Sequence, residues 1–381
     1  AHCAQGGIDG FSDTTGNVQG NNQRKMGLYG MFRGALGVVH LLGLYTAMLF
    51  MCNILPAISA LFVAPLSSQA HQSLLTFMAR RAWFAIYGWA HVMGGVTPVY
   101  YGDVELIRTK QTGSKILMSN HVSMTDSLVI FGFAGHLGED AHIRAYTKQQ
   151  LAYQPIIGWF WWTLNFIFLK RDYEKDKLRI RSQLRTLVEK SKQYSTGNFW
   201  LMIFPEGTRF KPSMLASAQA FSKEKGLPVM EHLLVPRVKG LQASFEGVRG
   251  DVDGVIDVTL AYEVRDAKGK IQPSLETILF GKGIRRKVHM HISFVPISEI
   301  PLDADGIYKW TIKRFETKDK LLADFAKTQK FPGETYAIPE YTGAQLGLNY
   351  AVLVSGAAVI AIALYHAAFS LAIVARLSLS V

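Results

Sequence analysis

Cysteine is almost missing from this 381-residue chain, which carries only Cys3 and Cys52. Two cysteines so far apart, one of them inside an apolar run, exclude a disulfide framework and a cysteine metal cluster. Charge is missing from two long stretches: residues 34–79 and 341–375 contain no Asp, Glu, Lys or Arg. Runs of Lys and Arg interleaved with aromatics are also lacking, so nucleic acid is not an expected partner. There is no internal repeat and no Ser or Cys in a G-x-S-x-G elbow. GDVDG (250–254) lacks the full ligand series of a calcium loop.

The charge-free stretches are long enough to matter. A bilayer-spanning helix needs about 20 mostly apolar residues. GALGVVHLLGLYTAMLFMCNIL (34–55) and LGLNYAVLVSGAAVIAIALYHAAFSLAIVA (346–375) both meet that length. The expectation is therefore an integral membrane protein. Pro56 and Pro65 interrupt the apolar sequence, and residues 57–95 read as re-entrant or interfacial, with Trp83, Tyr87 and Trp89 at headgroup level. Arg24, Lys25 and Arg33 place the N-terminus on the cytosolic or matrix side. A net charge of +12 suits an anionic partner, such as a phospholipid surface or a phosphorylated small molecule. The first residues are Gly/Asn/Gln/Ser-rich and lack an initiator Met, a processed look that favours a mitochondrial membrane over the endoplasmic reticulum. An ordered polar arm of this kind also hints at protein partners in a larger membrane complex.

Between 100 and 340, short apolar runs alternate with amphipathic segments, which predicts an α/β domain. SKILMSN (114–120), NFWLMIF (198–204), HLLVPRVKG (232–240), GVIDVTLAYE (254–263) and KVHMHISFVP (287–296) are the strand candidates. His289 and His291 fall on the polar face of the last, a more ordinary reading than a metal pair. Residues 172–194 predict an amphipathic helix with Leu178, Leu184 and Leu187 toward the core, and residues 310–327 predict another. The organisation is thus a polar arm (1–30), a membrane-embedded hairpin (31–99), an α/β domain (100–340) with a mostly parallel or mixed sheet flanked by helices, and a C-terminal transmembrane helix (341–381).

Ligands of open α/β sheets collect beyond the carboxyl ends of the strands. Two candidate strands end in polar chemistry: SNHVSMTDS (119–127) and PEGTR (205–209). Ser123 and Asp126 have capping-box spacing for a helix starting near 126. In that turn Asp126 is able to fold back on His121, fix the Nδ1–H tautomer and leave Nε2 as a base. No nucleophile accompanies the pair, which suits direct activation of a substrate hydroxyl. Arg209, Lys170–Arg171 and Arg237 with Lys239 supply cations for a phosphate.

As an ordered set, Asn120–His121–x4–Asp126, Lys170–Arg171, Phe204 to Arg209 and Val235–Pro236–Arg237–x–Lys239–Gly240 resemble the four motifs of the glycerolipid acyltransferases. The likeness runs from about 100 to 335 and is nearest to the 1-acyl-sn-glycerol-3-phosphate (lysophosphatidate) and lysocardiolipin acyltransferases. It implies transfer of a fatty acyl group from acyl-CoA, as co-substrate and without metal or other cofactor, to the sn-2 hydroxyl of lysophosphatidate. It further implies His121 as general base and Asp126 as its orienter. Asn120, Lys170, Arg171, Glu206, Gly207, Thr208, Arg209, Arg237 and Lys239 become the expected substrate-binding residues, with Arg171, Glu206, Gly207 and Arg209 on the glycerol phosphate. Trp159–Trp162 become an acyl-chain wall. Other readings are a lysocardiolipin or other lysophospholipid acyltransferase, and an acyltransferase-fold subunit with a structural or lipid-binding role in a membrane complex.

Overall fold

The computed structural model describes residues 31–358 except 32–33, 40, 44, 47, 111–112, 171, 194–196, 264–285 and 356–357. Among the described residues, eight strands form one mixed sheet in the order β4-β3-β5-β2-β6-β7-β1-β8. They are β1 (Val96–Gly102), β2 (Lys115–Ser119), β3 (Ile143–Lys148), β4 (Ile167–Leu169), β5 (Trp200–Ile203), β6 (Gly254–Tyr262), β7 (Arg286–Pro296) and β8 (Thr335–Tyr336). β2 runs parallel to both β5 and β6, so their carboxyl ends share one edge. β7 turns the sheet antiparallel against β6.

Every residue of β2, β5 and β6 is buried, which is why these strands read as continuous apolar runs. Helices cover both faces. On one lie α1 (Leu55–Phe62), α2 (Ser68–Val92), α3 (Val104–Lys110), α4 (Asp126–His136) and α5 (Ile157–Thr163). The buried cluster there joins Trp83, Phe131, Phe133 and Phe160 to Leu117, Ile256 and Val258 of the sheet. On the other lie α6 (Tyr173–Gln193), α8 (Val238–Val248) and α9 (Ala304–Thr328), while α7 (Pro212–Glu224) is tied through Gln219 Nε2 to Met230 O. Their cluster joins Leu184, Leu241, Phe245 and Phe315 to Ile116, Met118 and Val255. Alternate β2 residues thus feed opposite cores.

Several expectations fail locally. Residues 232–240 are no strand: they form a loop that runs into α8. Its apolar residues Leu233 and Leu234 are buried under the loop instead of in the sheet. Leu178 points outward at 75 % exposure, and Ile180 takes the core position, in phase with Leu184 and Leu187. His289 is not on a solvated face but buried, held by the Tyr101 hydroxyl at 2.9 Å, because α9 and Phe331 cover that side.

The membrane reading also changes. Among the described residues, no helix is long and apolar enough to cross a membrane. The first expected span, 34–55, runs into a π-helical turn at Phe50–Ile54, and Met48, Met51 and Cys52 join the domain core. Trp83, Tyr87 and Trp89 are buried in protein, not placed at headgroup level. The α2 helix packs on α4, with the Trp83 and Phe131 ring centroids 4.3 Å apart and Tyr87 lying against Gly132 and Gly135. The second expected span lies largely outside the described residues. Its described part belongs to the helix over 343–355, which lies on α2, with Asn349 Nδ2 donating to Arg81 O at 3.1 Å.

Candidate active site

Met118 of β2 and Ile203 of β5 are paired in the sheet, so His121 and Glu206 each lie three residues beyond a matched position. The two turns are sewn together around His121. Its amide donates to Glu206 Oε1 at 2.7 Å, and its carbonyl accepts from the Phe210 amide at 2.7 Å. The imidazole lies on the Phe204 ring, with centroids 4.2 Å apart.

Asp126 opens α4 and is fully buried. Its Oδ2 accepts from His121 Nδ1 at 2.8 Å and from the amides of Val122 and Ser123 at 2.6 and 2.8 Å. Its Oδ1 accepts from the Tyr262 hydroxyl. A carboxylate already accepting from two amides and a phenol offers the imidazole only lone pairs, so Nδ1 carries the hydrogen and Nε2 is the basic nitrogen. The His121 side chain is 20 % exposed, and Nε2 has no hydrogen-bond partner among the described residues. Half of the expected capping box forms. Asp126 reaches back to the Ser123 amide, while Ser123 Oγ takes the Thr125 amide at 3.2 Å in place of that of Asp126.

Two residues expected to touch substrate are used differently. Asn120 is buried and holds β6 with both ends of its amide, donating to Leu260 O at 3.0 Å and accepting from Leu260 N at 2.7 Å. It is a rung between strands beneath the His–Asp pair. Glu206 is also buried, its second oxygen accepting from the Leu234 amide at 3.2 Å. Burial pushes its carboxyl up to about 8, the two amides pull it back, and the nearby Asp126 charge adds to the rise. A carboxyl spent on two backbone amides ties loops together and does not attract a phosphate.

The remaining candidates lie at the surface. Gly207 has φ +68°, and a Cβ there would approach Arg237 Cδ at 3.1 Å, so glycine both makes the turn and leaves room for that arginine. Thr208 is half-buried, and Arg209 is exposed with no hydrogen bond or ion pair to any described residue. The Arg237 amide donates to Pro205 O at 2.6 Å, bringing an exposed guanidinium beside the Glu206–Arg209 turn. Lys239 is exposed in the first turn of α8. Lys170 is exposed after β4, at the same sheet edge but beyond β3 in the strand order. Arg171 lies outside the described residues. Of the aromatic run, Phe160 is buried while Trp159 and Trp162 are 51 % and 73 % exposed.

Sequence reasoning missed Tyr262. The alternation of β6 makes it one more core residue after Val258 and Leu260, and only its hydroxyl, which needs a partner when buried, signals another task.

The family profile described as acyltransferase matches residues 102–245, and the one described as acyltransferase C-terminus matches residues 277–352. The chain is 28% identical over 282 residues to 1-acyl-sn-glycerol-3-phosphate acyltransferase 2 of Brassica oleracea, covering 74% of this chain and 69% of that one. It is 30% identical over 253 residues to the epsilon 1-acyl-sn-glycerol-3-phosphate acyltransferase of Mus musculus, covering 63% and 66%. With the Homo sapiens gamma enzyme of the same name it shares 28% over 272 residues, covering 71% and 69%. Among solved structures, the 1-acyl-sn-glycerophosphate (LPA) acyltransferase PlsC of Thermotoga maritima aligns with 77% of this chain and 98% of its own at 18% identity and a TM-score of 0.41. That loose likeness adds nothing to the layering described above. The two profiles and these relatives place the chain in the acyltransferase family.

Proposed function

We propose that this protein transfers a fatty acyl group from acyl-CoA to the sn-2 hydroxyl of lysophosphatidate, giving phosphatidate. The observation that carries the reading is the uncovered Nε2 of His121, oriented through Asp126 and set beside exposed arginines. The relatives named for this reaction on the same acceptor support it. Nε2 takes the proton of the acceptor hydroxyl as its oxygen attacks the thioester carbonyl. The new C–O bond forms, the C–S bond breaks, and the imidazolium returns the proton to the departing thiolate. Asp126 steadies the imidazolium, and Arg209 with Arg237 holds the acceptor's phosphate.

The same reading places the domain at a lipid surface, its acceptor being a lipid. Leu61, Phe62 and Leu66, in and just after α1, are 67–88 % exposed, and α5, which packs on the Phe50–Ile54 turn, adds Trp159 and Trp162. Large exposed apolar side chains with interfacial tryptophans suit contact with a membrane.

The purified full chain, offered one acyl-CoA and a panel of lysophospholipids, is expected to acylate lysophosphatidate. Arg209→Ala is expected to raise KM for lysophosphatidate about tenfold while leaving KM for acyl-CoA unchanged, since a charge-assisted contact to the phosphate is made in ground and transition state alike. Absence of transfer to every acceptor would sink the reading. A raised KM for acyl-CoA alone would move Arg209 to the donor side.

A further inference from the structure

The loop from Met230 to Arg237 carries one of the two exposed arginines of the site and has no regular secondary structure. Its backbone is held at several points. Gln219 Nε2 donates to Met230 O at 3.0 Å, Leu234 N donates to Glu206 Oε2, and Arg237 N donates to Pro205 O. The remaining clamp comes from outside the four motifs. Glu231 N donates to both carboxylate oxygens of Asp319, at 3.1 and 3.0 Å, and His232 N donates to Asp319 Oδ1 at 2.7 Å.

Asp319 stands in the middle of α9, in a stretch, KRFETKDKLL, whose charges read as an ordinary solvated helix face. The helix is fixed against the sheet at that turn by the preceding residue. Lys318 is fully buried, its Nζ donating to Val258 O at 2.5 Å and pairing with Asp257, which also binds Arg314 at 2.6 Å. Asp319 therefore projects from an immobile point. Two backbone amides converging on one carboxylate make a stiff joint. Because Arg237 N is bound to Pro205 O and its side chain occupies the space a Cβ on Gly207 would need, where this loop sits decides where the guanidinium stands.

We propose that Asp319 is a positioning residue for the acceptor: it sets the place of Arg237 and through it the grip on the phosphate, without touching substrate. This rests on the acyl-transfer reading for the identity of the anion. Glu206 fixes the loop from the His121 side and Asp319 from the α9 side, so that the C-terminal part of the chain takes part in acceptor recognition.

Direct binding of lysophosphatidate to the full chain, in neutral lipid vesicles, is the test. Asp319→Asn keeps the volume of the side chain but replaces an acceptor oxygen with an amide group facing the Glu231 amide. It is expected to raise Kd about tenfold, with Asp319→Ala at least as weak and Asp319→Glu partly restored. In an Arg237→Ala background the same Asp319→Asn change is expected to add nothing, since its effect runs through that arginine. In turnover, KM for lysophosphatidate rises while kcat and KM for acyl-CoA stay within about twofold. An unchanged Kd in Asp319→Asn, or a loss that is fully additive with Arg237→Ala, overturns the proposal. A loss of kcat in step with a lowered melting temperature does so too, by making Asp319 a stability clamp only. Wild type that binds lysophosphatidate but transfers nothing overturns the acyl-transfer reading and leaves the positioning role standing. Wild type that does not bind it overturns both.

Discussion

Asp126 and Glu206 are both buried carboxyl groups at the carboxyl ends of neighbouring parallel strands, and both accept backbone amides. Their tasks nevertheless differ. Asp126 gathers an imidazole and a phenol besides its two amides, and a side chain with chemistry to perform hangs from it. Glu206 has backbone on both oxygens, one partner from each of two loops, and carries no reactive group. Burial alone does not mark a carboxyl as catalytic. The kind of donor it collects decides, side chain for orientation and main chain for architecture.

The comparison is open to direct tests. His121→Ala removes the base itself, and acyl transfer is expected to fall by about 10⁴-fold with the circular dichroism spectrum unchanged. Turnover near that of wild type would take the base elsewhere. Asp126→Asn keeps the shape but lets the amide compete for the wrong tautomer, and kcat is expected to drop about 10³-fold. Tyr262→Phe takes one donor from Asp126 and leaves the ring in the core. A fall of about tenfold in kcat, with KM for both substrates unchanged, is expected from the loss of one hydrogen bond to a charged group.

Glu206→Gln is expected to have the smallest effect on rate, and its signature lies in pH. Folded, the wild-type carboxyl titrates at about 8, against an ordinary value of 4.5. The folded state therefore holds the extra proton between those values, and stability falls as pH rises through that window. The melting temperature of wild type relative to Glu206→Gln should decline from pH 5 to pH 8. A flat difference would show that Glu206 is ionised throughout and that its two amides outweigh its burial.

Much of this site was legible in the sequence because its parts are local. A His and an Asp spaced for a turn, after an apolar strand and before a helix, leave few other ways to meet, and PEGTR announces its turn through Gly207. What the sequence could not say is which polar groups face inward. Asn120, Glu206 and Tyr262 find their partners across the sheet, and no local pattern encodes a contact between residues 140 apart, as between Asn120 and Leu260. The headgroup placement of Trp83, Tyr87 and Trp89 failed for a related reason. Large aromatic side chains suit a bilayer interface and a protein neighbour alike, and α2 found α4, whose own apolar run supplied Phe131 and Phe133.

The rung from Asn120 to Leu260 and the bond from Tyr262 to Asp126, which spans 136 residues, have a consequence for biosynthesis. The ribosome delivers His121 and Asp126 long before β6 exists, and loops of that length close late and slowly. The nascent chain therefore passes through a stage in which the base is present but its orienter lacks the Tyr262 bond, and competence arrives only with β6 and then α9. A product released early, at the end of α8, would keep all four motifs between Asn120 and Gly240 and still be chemically unfinished.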